Sequence, residues 1–480
     1  MHIRLVTSLF RASGLSLLPG LLVTLCVSAA GAQTADCPDP GRQPATEKLM
    51  SLVQGDPALQ EQLTRSIELG QIINSDPNTN PVASLEDYYD FIDALVTYPP
   101  QNIDSGIYDG KIRVSMDGTN YCNWNILDIL SFSYFLVDRQ LTTDPRGQIQ
   151  FENDAFSNWM RDIAEEWGQY LETPASAVHV PDFTGDPNFG DWYCPPEGGY
   201  TTFQDFFTRE LCAATFPTGS RPVEGYDDPA TVVAIGDSTS AGWWPISGNG
   251  KLVTTYDGIS QGGEVIKGQL YSDVADFILG KDGETVLETF GAIDPAIFNK
   301  GTWTHQFLNV NNYHRLHVPV AGKIVYLKHL QSGVRMKSGW AEARRPEEVD
   351  HYDPQDTADW QFGQTRMVIG IETESHGTVV ISPMGMAQVS SIVKRDWVTE
   401  GAMTDKGWEF ANFAFGGSDF VVIFQEDADF VLTAETLPEE APGAGVAYKT
   451  SLQGEKYGCF GGVTTCSATP QTPPAPPSGG

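Results

Sequence analysis

Hydrophobic spacing changes once along this chain, close to Thr202, and that change limits what the chain can fold into. Before it, apolar residues return every three or four positions. Phe156, Met160, Ile163, Trp167 and Tyr170 place one stripe along a helix, with Asn153 or Asp154 available to cap its start. After it, TTFQDFFTREL carries a capping-box pattern and gives way to short β-branched runs broken by Gly and Pro: TVVAI, KIVYL, GTVVI and FVVIF. The pattern predicts an α+β fold, a mainly helical N-terminal domain followed by a strand-rich domain. The Gly/Pro/Asp-rich passage from Pro181 to Gly199 reads as a linker. The expected boundaries are a leader over 1–32, the helical domain and linker over 33–199, the strand-rich domain over 200–458, and a disordered Pro-rich tail over 459–480.

The leader reads as a secretory signal peptide. Arg4 and Arg11 flank the start, an apolar run extends from Leu15 to Val27, and Ala30-Gly31-Ala32 precedes the expected cut. The run is short for a membrane anchor, so a secreted or periplasmic protein is expected. Once Cys26 leaves, six cysteines remain: Cys37, Cys122, Cys194, Cys212, Cys459 and Cys466. An even number in an exported chain favours disulfides, but spacing leaves their pairing open. Cys459 and Cys466 flank a short Gly-containing loop and could pair locally. No CxxC spacing is present, which argues against a zinc site. The net charge of −33 argues against a nucleic-acid partner and repels anionic lipid, although solubility alone also explains it.

Three segments of the second region carry groups suited to chemistry: Gly416-Gly417-Ser418-Asp419 between strand-like runs, Tyr313-His314-Arg315-Leu316-His317, and Gly236-Asp237-Ser238. Singly each has a structural explanation, as a turn, a surface histidine pair and a cap. Together they supply a hydroxyl nucleophile, an imidazole base and a carboxylate to orient it. Gly417 has no side chain, so its carbonyl is open to attack by the hydroxyl of Ser418.

These residues also carry a family resemblance. FQDFFTRELCAATFPTGSRPV, Glu264-Val265-Ile266-Lys267-Gly268 with YSDVADFILG, NNYHRLHVPVAGKIV, ISPMGMAQVSSI and KGWEFANFAFGGSDFVVIF resemble, in order, five blocks of phosphatidylserine decarboxylases over residues 202 to 426. The helical region, with WGQYLETPASAV, is similar to the N-terminal domain of a soluble branch that includes fungal tryptophan decarboxylases. Departures are present: Asp419 stands where the family has Thr, Asn311-Asn312 replaces an Asp, Ile235-Gly236-Asp237-Ser238 replaces Pro-Ala-Asp-Gly, and VSSI replaces VGSI.

The resemblance implies a chain that cuts itself between Gly417 and Ser418 and turns Ser418 into a covalent pyruvoyl, with no external cofactor. It assigns Asp237, His317 and Ser418 as catalytic and His314 and Arg315 as substrate-binding or supporting. The implied substrate is an α-amino-acid group, either a free L-amino acid such as tryptophan or the serine headgroup of a phospholipid, and the two cut chains are expected to stay associated. Asp419 sets a negative charge beside the reacting bond and is expected to slow maturation. Two other classes compete. TVVAIGDSTSAG resembles the first block of GDSL-type esterases with Ser238 as nucleophile, but no Asp-x-x-His follows. An exported binding protein that kept the fold and lost the chemistry is the third.

Overall fold

The structure, a computed structural model, describes residues 37, 39–102, 118–143, 147–256, 259–261, 265–266, 269–270, 274–280, 284–331, 365–386, 392–415, 417–434 and 450–477. The expected signal peptide lies outside them, as do Lys267, Gly268, Gly416 and residues 387–391 of the blocks quoted above.

Six helices of the first half and its border carry the argument: α1 (Pro44–Gly55), α2 (Pro57–Ile73), α3 (Leu85–Val96), α4 (Ile126–Val137), α5 (Asp154–Leu171) and α6 (Phe203–Phe207). α5 is the helix expected from the stripe. Asn153 caps it by accepting the Phe156 N–H at 3.0 Å, and Phe156, Met160, Ile163 and Trp167 are buried along one face, with Tyr170 at its margin. Two indole N–H groups tie that face down. Trp159 donates to Ala45 O at 2.7 Å and Trp167 to Tyr98 O at 2.9 Å.

The passage expected as a linker is packed instead. It forms the one-turn helices Val180–Phe183 and Phe189–Tyr193, buries Phe183 and Phe189 against Phe206 of α6, and is closed by the Cys194–Cys212 disulfide. Its aromatic residues explain this, because burying them outweighs what Gly and Pro do to the backbone. Helices and strands of Cys37–Gly480 thus share one hydrophobic core within one compact unit.

The strand-rich half is built on an antiparallel sheet of nine strands: β1 (Ser238–Pro245), β2 (Thr285–Gly291), β3 (Thr302–Leu308), β4 (Gly322–Gln331), β5 (Arg366–Glu372), β6 (Thr378–Met386), β7 (Met403–Thr404), β8 (Gly417–Phe424) and β9 (Thr450–Ser451). The spatial order is β7-β4-β5-β6-β8-β3-β1-β9, with β2 also beside β4. β8 therefore sits in the interior, between β6 and β3. Its FVVIF run is buried on both faces, which is why it reads as a continuous apolar stretch and not as an alternating one.

Two three-stranded sheets flank this one. Arg315–His317 pairs with Glu409–Phe413, which pairs with Ile392–Lys394; Thr231–Val233 pairs with Lys456–Cys459, which pairs with Val431–Leu432. The residues expected as a disordered tail from Cys459 are held down as far as Pro474. Cys459 bonds to Cys466, Pro470–Gln471 pairs with Val223–Glu224, and Trp408 donates its indole N–H to Pro474 O at 2.9 Å. Proline removes an N–H but leaves its carbonyl free to accept, so a Pro-rich segment can still lie along an edge. The other disulfide joins Cys37 to Cys122.

Candidate active site

Ser418 is the second residue of β8. Across the ladder it faces Gly385 of β6 on one side and Leu308 of β3 on the other, and it is fully buried. Its Oγ has no hydrogen-bond partner among the described residues. A buried hydroxyl without a partner is costly, and a catalytic role is one explanation for keeping it.

Asp237 lies in a buried polar cluster of different composition from the one expected. Arg221 holds both carboxylate oxygens, Nη1 at 2.6 Å from Oδ1 and Nη2 at 3.0 Å from Oδ2. The Gln453 N–H donates to Oδ1 at 2.9 Å and the Tyr193 hydroxyl donates to Oδ2 at 3.5 Å. Burial opposes the Arg221 charge, but the Asp237 carboxylate outweighs it and the guanidinium is held more firmly protonated than usual.

His317 makes no hydrogen bond to Asp237 or to Ser418. Its ring spans Gly407 O, 2.7 Å from Nδ1, and the Tyr313 hydroxyl, 3.2 Å from Nε2. A carbonyl only accepts, so Nδ1 carries the proton and Nε2 is left free to accept from Tyr313. Burial dominates its titration and lowers it to about 4, with Glu409 and the Gly407 carbonyl pulling the other way. His317 is thus a neutral imidazole near neutral pH. Tyr313 joins the two halves of the cluster: it stacks on Tyr193 and lies under the Arg221 guanidinium, 5.5 Å from its ring centroid. The backbone arranges this proximity, because the His317 N–H donates to Ile235 O two residues before Asp237.

His314 is buried against Phe207, with ring centroids 3.7 Å apart, and its Nδ1 has no partner among the described residues. Burial first, and Arg209 second, hold it well below the usual histidine range. Its carbonyl accepts from the Phe413 N–H, so it sits beside the strand Glu409–Phe413 that precedes β8 in the chain. Arg315 is committed elsewhere: it donates to Thr208 O and Arg209 O and pairs with Glu409 and Glu210. Those bonds tie the end of α6 to the strand of His317. Ser238 is also engaged. It is buried at the start of β1, with Oγ donating to Gln306 Oε1 at 3.0 Å and lying 3.3 Å from Gly236 O.

A family model for phosphatidylserine decarboxylase matches residues 203–439, which span α6, the Asp237 and His317 segments and all of β8. Residues 203–439 of this chain belong to the phosphatidylserine decarboxylase family. Curated relatives include phosphatidylserine decarboxylase proenzyme 2 of Oryza sativa, 26% identical over 56% of this chain and 37% of its own length. L-tryptophan decarboxylase of Psilocybe cyanescens is 23% identical over 62% of this chain and 68% of its own length. The phosphatidylserine decarboxylase proenzyme of Shewanella amazonensis is 28% identical over 48% and 71%. The chain thus spans just over a third of the rice proenzyme.

Sequence reasoning missed three side-chain partners, two of them inside this segment. Arg221 closes the SRPV block and could have been found by asking which cation a buried Asp237 requires. His305 on β3 pairs with Asp419 and could have been found the same way, since Asp419 introduces a run that is otherwise apolar. Tyr193 carries no sequence signal that separates it from a packing residue.

Proposed function

We propose that this chain is a pyruvoyl-dependent carboxy-lyase that processes itself at Gly417-Ser418 and acts on a free L-amino acid. The observation that carries this is Ser418 itself: buried, with an unpartnered Oγ, directly after a glycine, at the head of an interior strand within the family segment. These residues fit the group, because an unpaired buried hydroxyl is what maturation would consume. A pyruvoyl in that place supplies an electron sink for loss of carbon dioxide, the role pyridoxal phosphate fills in other enzymes.

In maturation, Ser418 Oγ adds to the Gly417 carbonyl carbon. The C–N bond breaks as the C–O ester bond forms, and the freed amine takes up the proton. Removal of the Ser418 Cα proton then breaks Cβ–Oγ, releases the upstream chain as the Gly417 carboxylate and leaves dehydroalanine. Water hydrolyses this to the ketone and ammonia leaves. His317 is the proposed base, since its Nε2 is proton-free and its ring is neutral. Asp237 acts on it indirectly, fixing Arg221 and Tyr193 around Tyr313. His314, beside the strand Glu409–Phe413, is proposed to support the substrate side.

A relative and the charge support a free amino acid over a lipid headgroup. A fungal L-tryptophan decarboxylase aligns over 62% of the chain, beside phosphatidylserine decarboxylases that align over 56% and 58%. The net charge of −33 repels the anionic surface at which a lipid headgroup is met. Three disulfides and the leader support export. The esterase alternative loses support because Ser238 Oγ is engaged by Gln306 inside a paired strand. Mass spectrometry of purified protein tests the proposal. It should find a fragment that begins at position 418 with a pyruvoyl and no free amine, and Ser418→Ala should abolish both the cut and decarboxylation. An intact chain after long incubation sinks it.

A further inference from the structure

We infer that the bond to be cut is held from both sides by positioning residues, Gln204 upstream and His305 downstream; this rests on the self-processing proposed above. Upstream, the Phe415 N–H donates to Gln204 Oε1 at 3.2 Å. Its ring is enclosed by Phe203, Phe207 and Trp167, with centroids 4.9, 5.0 and 5.2 Å away and interplanar angles of 85°, 83° and 83°. Edge-to-face contacts of this kind fix a ring's orientation as well as burying it. Downstream, Asp419 Oδ2 pairs with His305 Nε2, both groups fully buried.

The His305 pair sets register. Asp419 and Ser418 are neighbours on a strand, so carboxylate and hydroxyl leave opposite faces of the sheet. A slip of one residue would carry Ser418 to the wrong face and leave the carboxylate buried without its histidine. His305 belongs to β3, the same strand that holds Ser418 opposite Leu308. The Asp at this position is thus matched by its own counter-group. Only Gly416, Gly417 and Ser418 lie between the two anchored residues, Phe415 and Asp419, so reaction geometry at the Gly417 carbonyl depends on both.

The test follows conversion of precursor to fragments on denaturing gels, with a thermal melt for each variant. Wild type is cut. Gln204→Ala and His305→Ala slow the cut by roughly tenfold or more, the scale expected for lost alignment of reacting groups. Gln204→Glu keeps an acceptor oxygen at the same reach and stays near the wild-type rate, which a purely structural role for the side chain would not predict. His305→Ala/Asp419→Thr regains most of the rate lost in His305→Ala, because the buried carboxylate that His305 matched is gone. Single variants that mature at the wild-type rate, or a double variant no faster than His305→Ala, overturn the inference. If His305→Ala melts as unfolded, the Gln204 pair decides alone: equal rates for Ala and Glu overturn it. A wild-type chain that is never cut removes the self-processing proposal as well, whereas a cut wild type with unaffected variants removes the positioning residues only.

Discussion

Arg221 and Asp237 are buried against each other, with side chains 7% and 4% exposed. Removing the cation leaves the carboxylate with one hydroxyl and one backbone N–H, which do not offset its desolvation. Arg221→Met should therefore lower stability by about 3–5 kcal/mol, read as a lower urea midpoint, and slow maturation with it. His317 gives a pH signature. Its titration is lowered from the usual histidine value to about 4, so the unfolded chain binds a proton across that interval and the folded one does not. Stability should be fully present above about pH 6.5 and fall as pH drops towards 4, with buried His314 adding in the same direction. Urea midpoints at several pH values measure this, and His317→Asn should flatten part of the slope. Processing should stay level from neutral pH to about 5 and fail near 4; a fall centred on 6.5 would show that the base is a solvated histidine instead. Ser418, Asp237 and His317 could be singled out in sequence because short ordered blocks carried them, and their catalytic roles belong to the proposal above. Their actual partners were not, because Arg221, Tyr193 and Gln453 reach Asp237 from sequence separations of 16, 44 and 216.

Elements were legible where burial follows a simple period. The stripe of α5 and the FVVIF run of β8 met that condition, since one faces a core on one side and the other is buried on both. The Pro181–Gly199 passage and the C-terminal segment did not, because Gly and Pro report backbone freedom and say nothing of a disulfide or a strand partner. Two strands make separate predictions. Phe420→Ala removes a fully buried ring from interior β8 and should cost about 3–5 kcal/mol, lowering the melting temperature of precursor and cut protein alike. Ser238→Ala on β1 removes the hydrogen bond to Gln306 Oε1, about 1 kcal/mol, and should leave carbon dioxide release unchanged. Ester hydrolysis that disappears with Ser238→Ala would restore the esterase reading.

At the scale of the whole molecule, the disulfides fall on either side of the proposed cut and none crosses it: Cys37–Cys122 and Cys194–Cys212 lie before Gly417, Cys459–Cys466 after Ser418. The downstream piece is nonetheless threaded through the fold. It contributes interior β8, the strand Lys456–Cys459 beside Thr231–Val233, and Pro470–Gln471 beside Val223–Glu224. Cut protein should run as one species in native gel filtration and as two on a denaturing gel without reductant. Substrate choice belongs to this scale too. A net charge of −33 sets the molecule against an anionic bilayer, and a phospholipid headgroup must be reached at such a surface. A free amino acid only has to diffuse to the site. Purified cut protein should therefore release carbon dioxide from carboxyl-labelled L-tryptophan, or from another free amino acid, without detergent or lipid. The same preparation should leave labelled phosphatidylserine vesicles largely untouched. If vesicles are decarboxylated efficiently while every free amino acid is ignored, the soluble substrate is wrong, and a less acidic face that meets the bilayer must be sought.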